Sequence, residues 1–560
     1  MIGARQKVAV VTGGGGGIGA AVAERLGLEG WFVVTVDPLV SLDGSATLPE
    51  PRETTAGRIT AAGGSARASS ASVTDGKALR ELFNELADEH GGLDAVVNVA
   101  GITRPTTFAR GSEEDWLAVL SVHLGGYLNV LEAALPIMAA AGRGHILGVT
   151  SGSGWRSADA GAYSCAKRAV AALTWQLGRC TPAGVTVNAM SPIAETRMVT
   201  EALERARRAA ASAGATSGNN AGTGGLSLAS LPAPGDLGPI GAYLASDRFG
   251  WCNGRVLFIG GSEVAFIDEP RLLEVVRTGG TPSLARVLDA VVPGALSTAE
   301  AGQGTTGGGN PRFGAIFDGP MFEDPASGML SATSLRSCAV VSDRPALASR
   351  VTAALEARSV VCHAVEADGG FGNAAKGLEA IADASGPLDA VVVALSGDAP
   401  ADAGGEYEWK QVLASHRGIV ERIRNDAGWA RAAADHARGK DRSLLLVTVT
   451  DGRTPGGHSR AQASAQLARS AATSTKGKVT AFAISLEASD EQASGAAAEL
   501  VAHLLADPDA AGLAGAELVV DSDWLGLRSH PRPIGSVVYG GPSVPGWLDR
   551  TLRDIAGVQS

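Results

Sequence analysis

The stretch Val8–Leu26, VAVVTGGGGGIGAAVAERL, sets five glycines between an apolar run and an alanine-rich one. A flexible linker is polar on both sides. Here a strand-like segment feeds the glycines and a helical pattern leaves them. Thr12, Gly13, Gly17, Ile18 and Gly19 spell TGxxxGxG. Glycines at these places permit a tight turn and close approach of backbone to a ligand. The helix start adds unpaired N–H groups and a positive dipole end for a pyrophosphate. The next apolar run, WFVVTVDP, ends in Asp37. A carboxylate there accepts hydrogen bonds from the adenosine ribose hydroxyls of NAD and repels a 2′-phosphate. No basic residue stands in the loop or just after Asp37, so NAD is the expected cofactor. Simply ending a strand before Pro38 is the plainer role open to Asp37.

The chain has 560 residues, too many for one ordinary core, so two domains are expected. Short β-branched runs alternate with longer helical patterns. Strands are expected at Val8–Thr12, Phe32–Asp37, Leu93–Asn98, His145–Thr150, Val185–Ala189 and Val256–Ile259, and helices include Ser112–Met138 and Tyr163–Leu177. The fold class is α/β, with ligands at the carboxyl ends of a doubly wound parallel sheet. A net charge of −11 argues against a general nucleic-acid binder. Five scattered cysteines without CxxC spacing predict neither a disulfide framework nor a metal site, and fit a reducing cytoplasm. The first residues leave no room for a signal peptide, and no uncharged apolar run of membrane-spanning length occurs.

Past residue 335 the pattern starts again. CAVVSDRPALASRVTAALEARSVVCHAV matches the opening segment in its order of apolar blocks. GPLDAVVVALSG echoes GGLDAVVNVAG, and EWKQVLASHRGIVERI echoes DWLAVLSVHLGGYLNVL, with His416 opposite His123. Echoes in the same order predict a duplicated Rossmann-like fold. The expected division is a catalytic domain over 1–275, a linker and extension over 276–335, a degenerate domain over 336–540 and a tail over 541–560. Arg207–Leu231, small, polar and glycine-rich, reads as a mobile segment, and Leu296–Gly314 as an interdomain linker.

YSCAK sets Tyr163 and Lys167 four apart on one helical face, and GVTSGSG ends a strand with Ser151. An ammonium beside a phenol stabilises phenolate and lowers its pKa, so the phenol can exchange a proton near neutrality. A serine hydroxyl can then hold the substrate oxygen, although Thr150 or Ser153 could fill that place. Trp155 and Arg156 follow and could line a pocket, or Arg156 could be an ordinary surface residue.

With TGGGGGIG, NVAG (Asn98–Gly101), Ser151, YSCAK and SPIAETRM (Ser191–Met198) in this order, the chain resembles the short-chain dehydrogenase/reductase family over about Gln6 to Ile267. GITRPTTFARGSEEDW, VHLGG and NGRVLFIGGSEVAFI make it most similar to the D-specific 3-hydroxyacyl-CoA dehydrogenase domains of multifunctional enzymes. The resemblance implies Tyr163 as general acid/base, Lys167 on the nicotinamide ribose, and Ser151 orienting the alcohol or carbonyl. It puts Gly13, Gly17 and Gly19 on the pyrophosphate and Asp37 on the adenosine ribose. Asn98, Ala100 and Gly101 would lie near the cofactor's middle, with Pro192, Ile193 and Thr196 around the nicotinamide. His123 stands where the family's relay asparagine usually is, and either supports a relay or fills a helix kink. The Ser151–Tyr163 interval is one residue shorter than the commonest family spacing.

The second copy lacks this machinery. Val341–Ala348 has no glycine, Arg344, Pro345 and Leu347 would crowd out a pyrophosphate, and Asp451 falls near the serine position. No tyrosine occurs between Tyr407 and Tyr539 and no lysine between Lys440 and Lys476. Its expected task is structural, standing in for a dimer partner so that two chains form a homodimer resembling a tetramer. Binding an acyl carrier or coenzyme A is the rival task. The expected activity is NAD-dependent interconversion of a secondary alcohol and a ketone, first a 3-hydroxyacyl-CoA, then a hydroxysteroid or other bulky alcohol, then a 3-oxoacyl group. The alternative from another class is an NAD-binding scaffold or sensor.

Overall fold

The computed structural model describes residues 5–155, 159–197, 199–200, 231–278, 283–303, 335–367, 370–397 and 408–558. The first sheet is built from β1 (Val8–Thr12), β2 (Phe32–Val36), β3 (Ser65–Ser69), β4 (Ala95–Asn98), β5 (Gly144–Val149), β6 (Val185–Ile193), β7 (Val256–Gly260) and β8 (Glu263–Asp268). Val8 to Thr12 are buried on both sides, which is why the run shows no alternation of apolar and polar residues. Between the strands lie α1 (Gly17–Leu28), α2 (Thr55–Ala61), α3 (Gly76–His90), α4 (Glu113–Leu120), α5 (Gly126–Ala141), α6 (Gly161–Leu177) and α7 (Gly238–Leu244). A capping box between Ser112 and Asp115 starts α4. The single helix expected over Ser112–Met138 is divided by a π-turn at Ser121–Gly125. By length and composition Glu113–Ala141 could cross a membrane, yet half of its most apolar window is buried inside the fold.

After β8 the chain leaves the first sheet. β9 (Leu272–Arg277) joins a second sheet, followed by α8 (Leu284–Val291), a π-turn at Val292–Leu296 and α9 (Ser297–Gly302). The second half then runs β10 (Ser337–Ser342), α10 (Pro345–Glu356), β11 (Val361–Val365), α11 (Phe371–Ser385), β12 (Ala390–Ala394), α12 (Trp409–Ser415), α13 (Ile419–Gly439), β13 (Leu444–Asp451), α14 (Pro455–Arg469), α15 (Ala471–Thr475), β14 (Val479–Leu486), α16 (Glu491–Ala506), β15 (Glu517–Val520) and β16 (Trp524–Arg528). It closes with β17 (Arg532–Val538) and α17 (Leu548–Ala556). The strand orders are β17-β8-β7-β6-β5-β4-β1-β2-β3 and β11-β10-β12-β13-β14-β15-β16-β9. Two doubly wound α/β sheets in tandem are therefore present.

The expected limits at 275 and 540 do not follow the sheets. β9 pairs antiparallel with β16 in the second sheet, and β17 pairs antiparallel with β8 in the first. The two passing segments touch where Ser529 N donates to the Arg271 carbonyl at 2.7 Å and Arg271 N to Ser529 Oγ at 3.0 Å. Each carries its helix along: Leu288, Val292 and Leu296 are buried in the second core, and Leu548 and Leu552 in the first. His503 on α16 lies 3.5 Å from both Asp289 on α8 and Asp507. Within the residues read as a tail, Leu548–Ala556 is thus a docked helix, and the start of the expected linker is helical. Residues 304–314 of that linker lie outside the described residues. A sheet edge must be paired or covered, and a strand's own sequence does not say which edge it takes.

A continuous core joins the halves, with Leu124, Val170 and Leu173 in the same cluster as Ile419, Val420, Ala463 and Leu467. Glu113 on α4 accepts Arg424 Nη1 at 2.7 Å and Phe371 N at 3.1 Å. Arg168 on α6 donates to Glu517 at 2.8 Å, both side chains buried. The docking of α17 predicts that Leu552→Ala destabilises the chain by about 2–5 kcal/mol. Leu28→Ala, at a side chain 69% exposed, should stay within about 0.5 kcal/mol by denaturant unfolding.

Candidate active site

The glycine loop turns at the end of β1, where Gly13 has φ +66° and an added Cβ would lie 2.8 Å from Ala100 N. A Cβ at Gly19 would lie 2.2 Å from the Gly13 carbonyl oxygen, so α1 starts directly under the loop. No side chain caps α1 at Gly16, which leaves its first-turn N–H groups for an anion. Thr12 Oγ1 donates to Asn98 Oδ1 at 2.7 Å and accepts Ala100 N at 3.3 Å, tying the ends of β1 and β4 together. Asp37 accepts Gly15 N at 3.0 Å and Leu39 N at 2.8 Å, so its carboxylate borders the loop. Ile18 packs its side chain into the core beneath. Thr196 faces the loop, its Cγ2 3.8 Å from where a Gly17 Cβ would stand. Pro192 and Ile193 are half-buried at the end of β6. A cradle that side chains would fill, with an uncapped helix start and a bordering carboxylate, fits a nicotinamide dinucleotide.

Beyond β5, Ser151 Oγ accepts Ser153 N at 3.3 Å and opens a single turn over Gly152–Gly154. Thr150 is used otherwise, its hydroxyl donating to the Lys167 carbonyl at 2.6 Å. Lys167 is 97% buried by its 3% exposure, and its ammonium donates to the Val149 carbonyl at 2.6 Å. Burial draws its pKa down to about 7. The amine lies 5.6 Å from the centre of the Tyr163 ring. His123 sits in the π-turn, its ring perpendicular to that of Tyr163 with centroids 5.0 Å apart. Its Nε2 lies 2.8 Å from the Ile102 carbonyl and 3.3 Å from Ile102 N, so the tautomer decides whether it donates or accepts. Nδ1 is buried without a hydrogen-bond partner. Burial and the Lys167 charge lower the His123 pKa to about 3, so the ring is neutral in the working range. Gly101 makes room for it, since a Cβ there would lie 2.4 Å from His123 Cε1. The structure thus brings Tyr163, Lys167 and His123 together on α6 and the π-turn.

Arg156 and most of the segment read as mobile at Arg207–Leu231 lie outside the described residues. The Val149 carbonyl that anchors the amine was invisible in sequence because backbone atoms leave no residue signature. In the second half, α14 carries His458 and Gln462 four residues apart, their nitrogens 2.8 Å apart, with no tyrosine between. Asp451 is held by Arg453 at 2.6–2.9 Å. His416 is engaged with the Val412 carbonyl at 2.7 Å and Ser459 at 2.9 Å.

The family model for short chain dehydrogenases matches residues 7–207. The short-chain reductase protein NovJ of Streptomyces niveus is 37% identical over 203 residues, 36% of this chain and 74% of that protein. A 3-oxoacyl-[acyl-carrier-protein] reductase of Thermotoga maritima is 29% identical over 46% of this chain and 98% of its own length. An acetoacetyl-CoA reductase of Cupriavidus necator is 33% identical over 33% of this chain and 74% of its own. The solved N-domain of a bacterial malonyl-CoA reductase, in a structure with NADP, is 16% identical and covers 90% of this chain and 95% of that one with a TM-score of 0.61. That last likeness extends the shared fold across both halves.

Between pH 7 and the ordinary lysine value of 10.5, the unfolded chain holds the Lys167 proton more tightly than the cofactor-free folded one. Stability therefore rises with pH across that window. Lys167→Met should flatten part of this rise in parallel denaturant titrations; an equal slope in both proteins would show that the amine is not desolvated.

Proposed function

Since the chain belongs to the short-chain dehydrogenase family, we propose that its first half interconverts a secondary alcohol and a ketone with NAD, on a 3-hydroxyacyl or 3-oxoacyl thioester. The observation that carries this reading is the Tyr163 ring lying within 5.6 Å of the buried Lys167 amine and 5.0 Å of the neutral His123 ring. The nicotinamide cofactor, when bound, accepts or supplies the hydride. In the oxidative direction Ser151 donates a hydrogen bond to the substrate oxygen, and ionised Tyr163 takes the alcohol proton. In reduction Tyr163 returns that proton to the carbonyl oxygen. Lys167 in its charged form favours the phenolate, and Val149 keeps the amine from swinging away. In the tautomer whose Nε2–H donates to the Ile102 carbonyl, His123 Nδ1 offers an acceptor for a proton path behind the phenol.

The thioester is favoured because the reductases similar to this chain are named for 3-oxoacyl and acetoacetyl thioesters. NAD is favoured by Asp37, whose carboxylate borders the glycine loop where a 2′-phosphate would be repelled. NADH oxidation with acetoacetyl-CoA should fall by about a hundredfold or more in Tyr163→Phe. Asp37→Ala should weaken NADH and narrow its advantage over NADPH. Full activity in the first variant, or unchanged coenzyme preference in the second, would defeat these assignments.

The same reading includes a homodimer. The swapped strands end the sheets and expose Leu272, Leu273 and Val275 on β9 and Ile534 and Val538 on β17. An apolar edge strand invites pairing with a second copy. Light scattering should give twice the 56.4 kDa chain mass, and a monomer at micromolar concentration would remove this assembly.

A further inference from the structure

The half without the tyrosine–lysine pair reaches into the candidate active site. Ser151 rests on one short turn, closed by Gly154 N to the Ser151 carbonyl at 2.9 Å and Trp155 N to the Gly152 carbonyl at 3.2 Å. The outward carbonyls of this turn are taken by α14. Gln466 Nε2 donates to the Ser153 carbonyl at 3.2 Å, and Arg469 Nη1 to the Trp155 carbonyl at 2.7 Å. From α15, Ser474 Oγ accepts Ala109 N at 3.1 Å and lies 3.2 Å from Thr107 Oγ1. That loop in turn holds the start of α6, for Thr106 Oγ1 accepts Ala162 N at 3.1 Å, one residue before Tyr163.

Arg469 occupies a place shaped for it. Gly515 has φ +74°, and a Cβ there would lie 2.7 Å from Arg469 Cγ. Its charge acts on both members of the Glu300–His530 pair, 2.7 Å apart beside the crossing of the two swapped segments. One guanidinium therefore joins the crossing to the turn that carries Ser151.

We propose that Arg469 is a positioning residue for Ser151, so that the second half completes the active site of the first. The catalytic meaning of this rests on the alcohol–ketone reading above; the positioning itself does not. Small displacements of a group from its reactive geometry cost large factors in rate, which is the effect expected here.

The test uses the full chain with Arg469→Gln, Arg469→Lys and Gln176→Ala. Gln176 bridges to Ser459 at 3.1 Å near the other end of α6 and serves as the control for general loosening between the halves. Hydrogen exchange of residues 150–155 is followed without cofactor. NADH affinity, kcat and KM are measured with acetoacetyl-CoA as probe. Arg469→Gln should raise exchange in that segment by about tenfold and lower kcat by about tenfold, with NADH affinity within about twofold. Arg469→Lys should recover part of both, and Gln176→Ala should change neither. Should Arg469→Gln fail to fold, Gln466→Ala takes its place with the same expected rise in exchange. Unchanged exchange at 150–155, or an equal rise in Gln176→Ala, overturns the inference. If the parent protein does not turn over acetoacetyl-CoA, the thioester reading fails and exchange alone decides the positioning.

Discussion

The structure depends on the burial of α6 between its own sheet and α14. Fifteen of the seventeen residues of α6 are buried, so the helix has almost no solvent face. Alanines at 166, 169, 171 and 172 let neighbouring backbones approach, and Cys165 Sγ reaches the Ala463 carbonyl at 3.5 Å. Lys167 is desolvated by the same burial that fixes Tyr163. The packing that holds the fold and the chemistry of the amine are therefore one constraint. Arg168, next in sequence and about 100° round the helix, enters the buried pair with Glu517. Two adjacent cations on one helix thus serve different halves.

What was legible in sequence follows from how local each cause is. The glycine loop could be read because its requirement, backbone with nothing attached, is written in residue identity at Gly13 and Gly19. The parallel strands could be read because valine runs buried on both faces have no polar alternation. β3, with the sequence SARAS, offered no apolar run and was missed. The π-turn was hidden inside a continuous helical pattern, although His123 within it was singled out. Least legible were contacts across hundreds of residues. Nothing in Arg469 or Gln466 announces the carbonyls of Trp155 and Ser153, and nothing in β9 or β17 names the sheet edge it joins.

The two halves keep the same layer plan with unequal contents. Where the first presents glycines, the second has Arg344 at the start of α10 and Pro345 within it. Where the first has a phenol and an amine, the second has His458 and Gln462 bonded to one another. Without such groups the second half still presents helices that pack on α4, α5 and α6. Reductases such as that of Thermotoga maritima match the first half over 98% of their own length, so the second half roughly doubles the polypeptide around one candidate reaction centre.

The exchange of β9 and β17 also has a consequence for synthesis. β8 is made long before β17, and its free edge cannot be closed until Arg532–Val538 have left the ribosome. The first half therefore emerges with an open apolar border during translation of the whole second half, a condition that favours misassociation with neighbouring nascent chains. Completion of the first sheet therefore depends on a strand supplied from beyond the second half, not on the first half by itself.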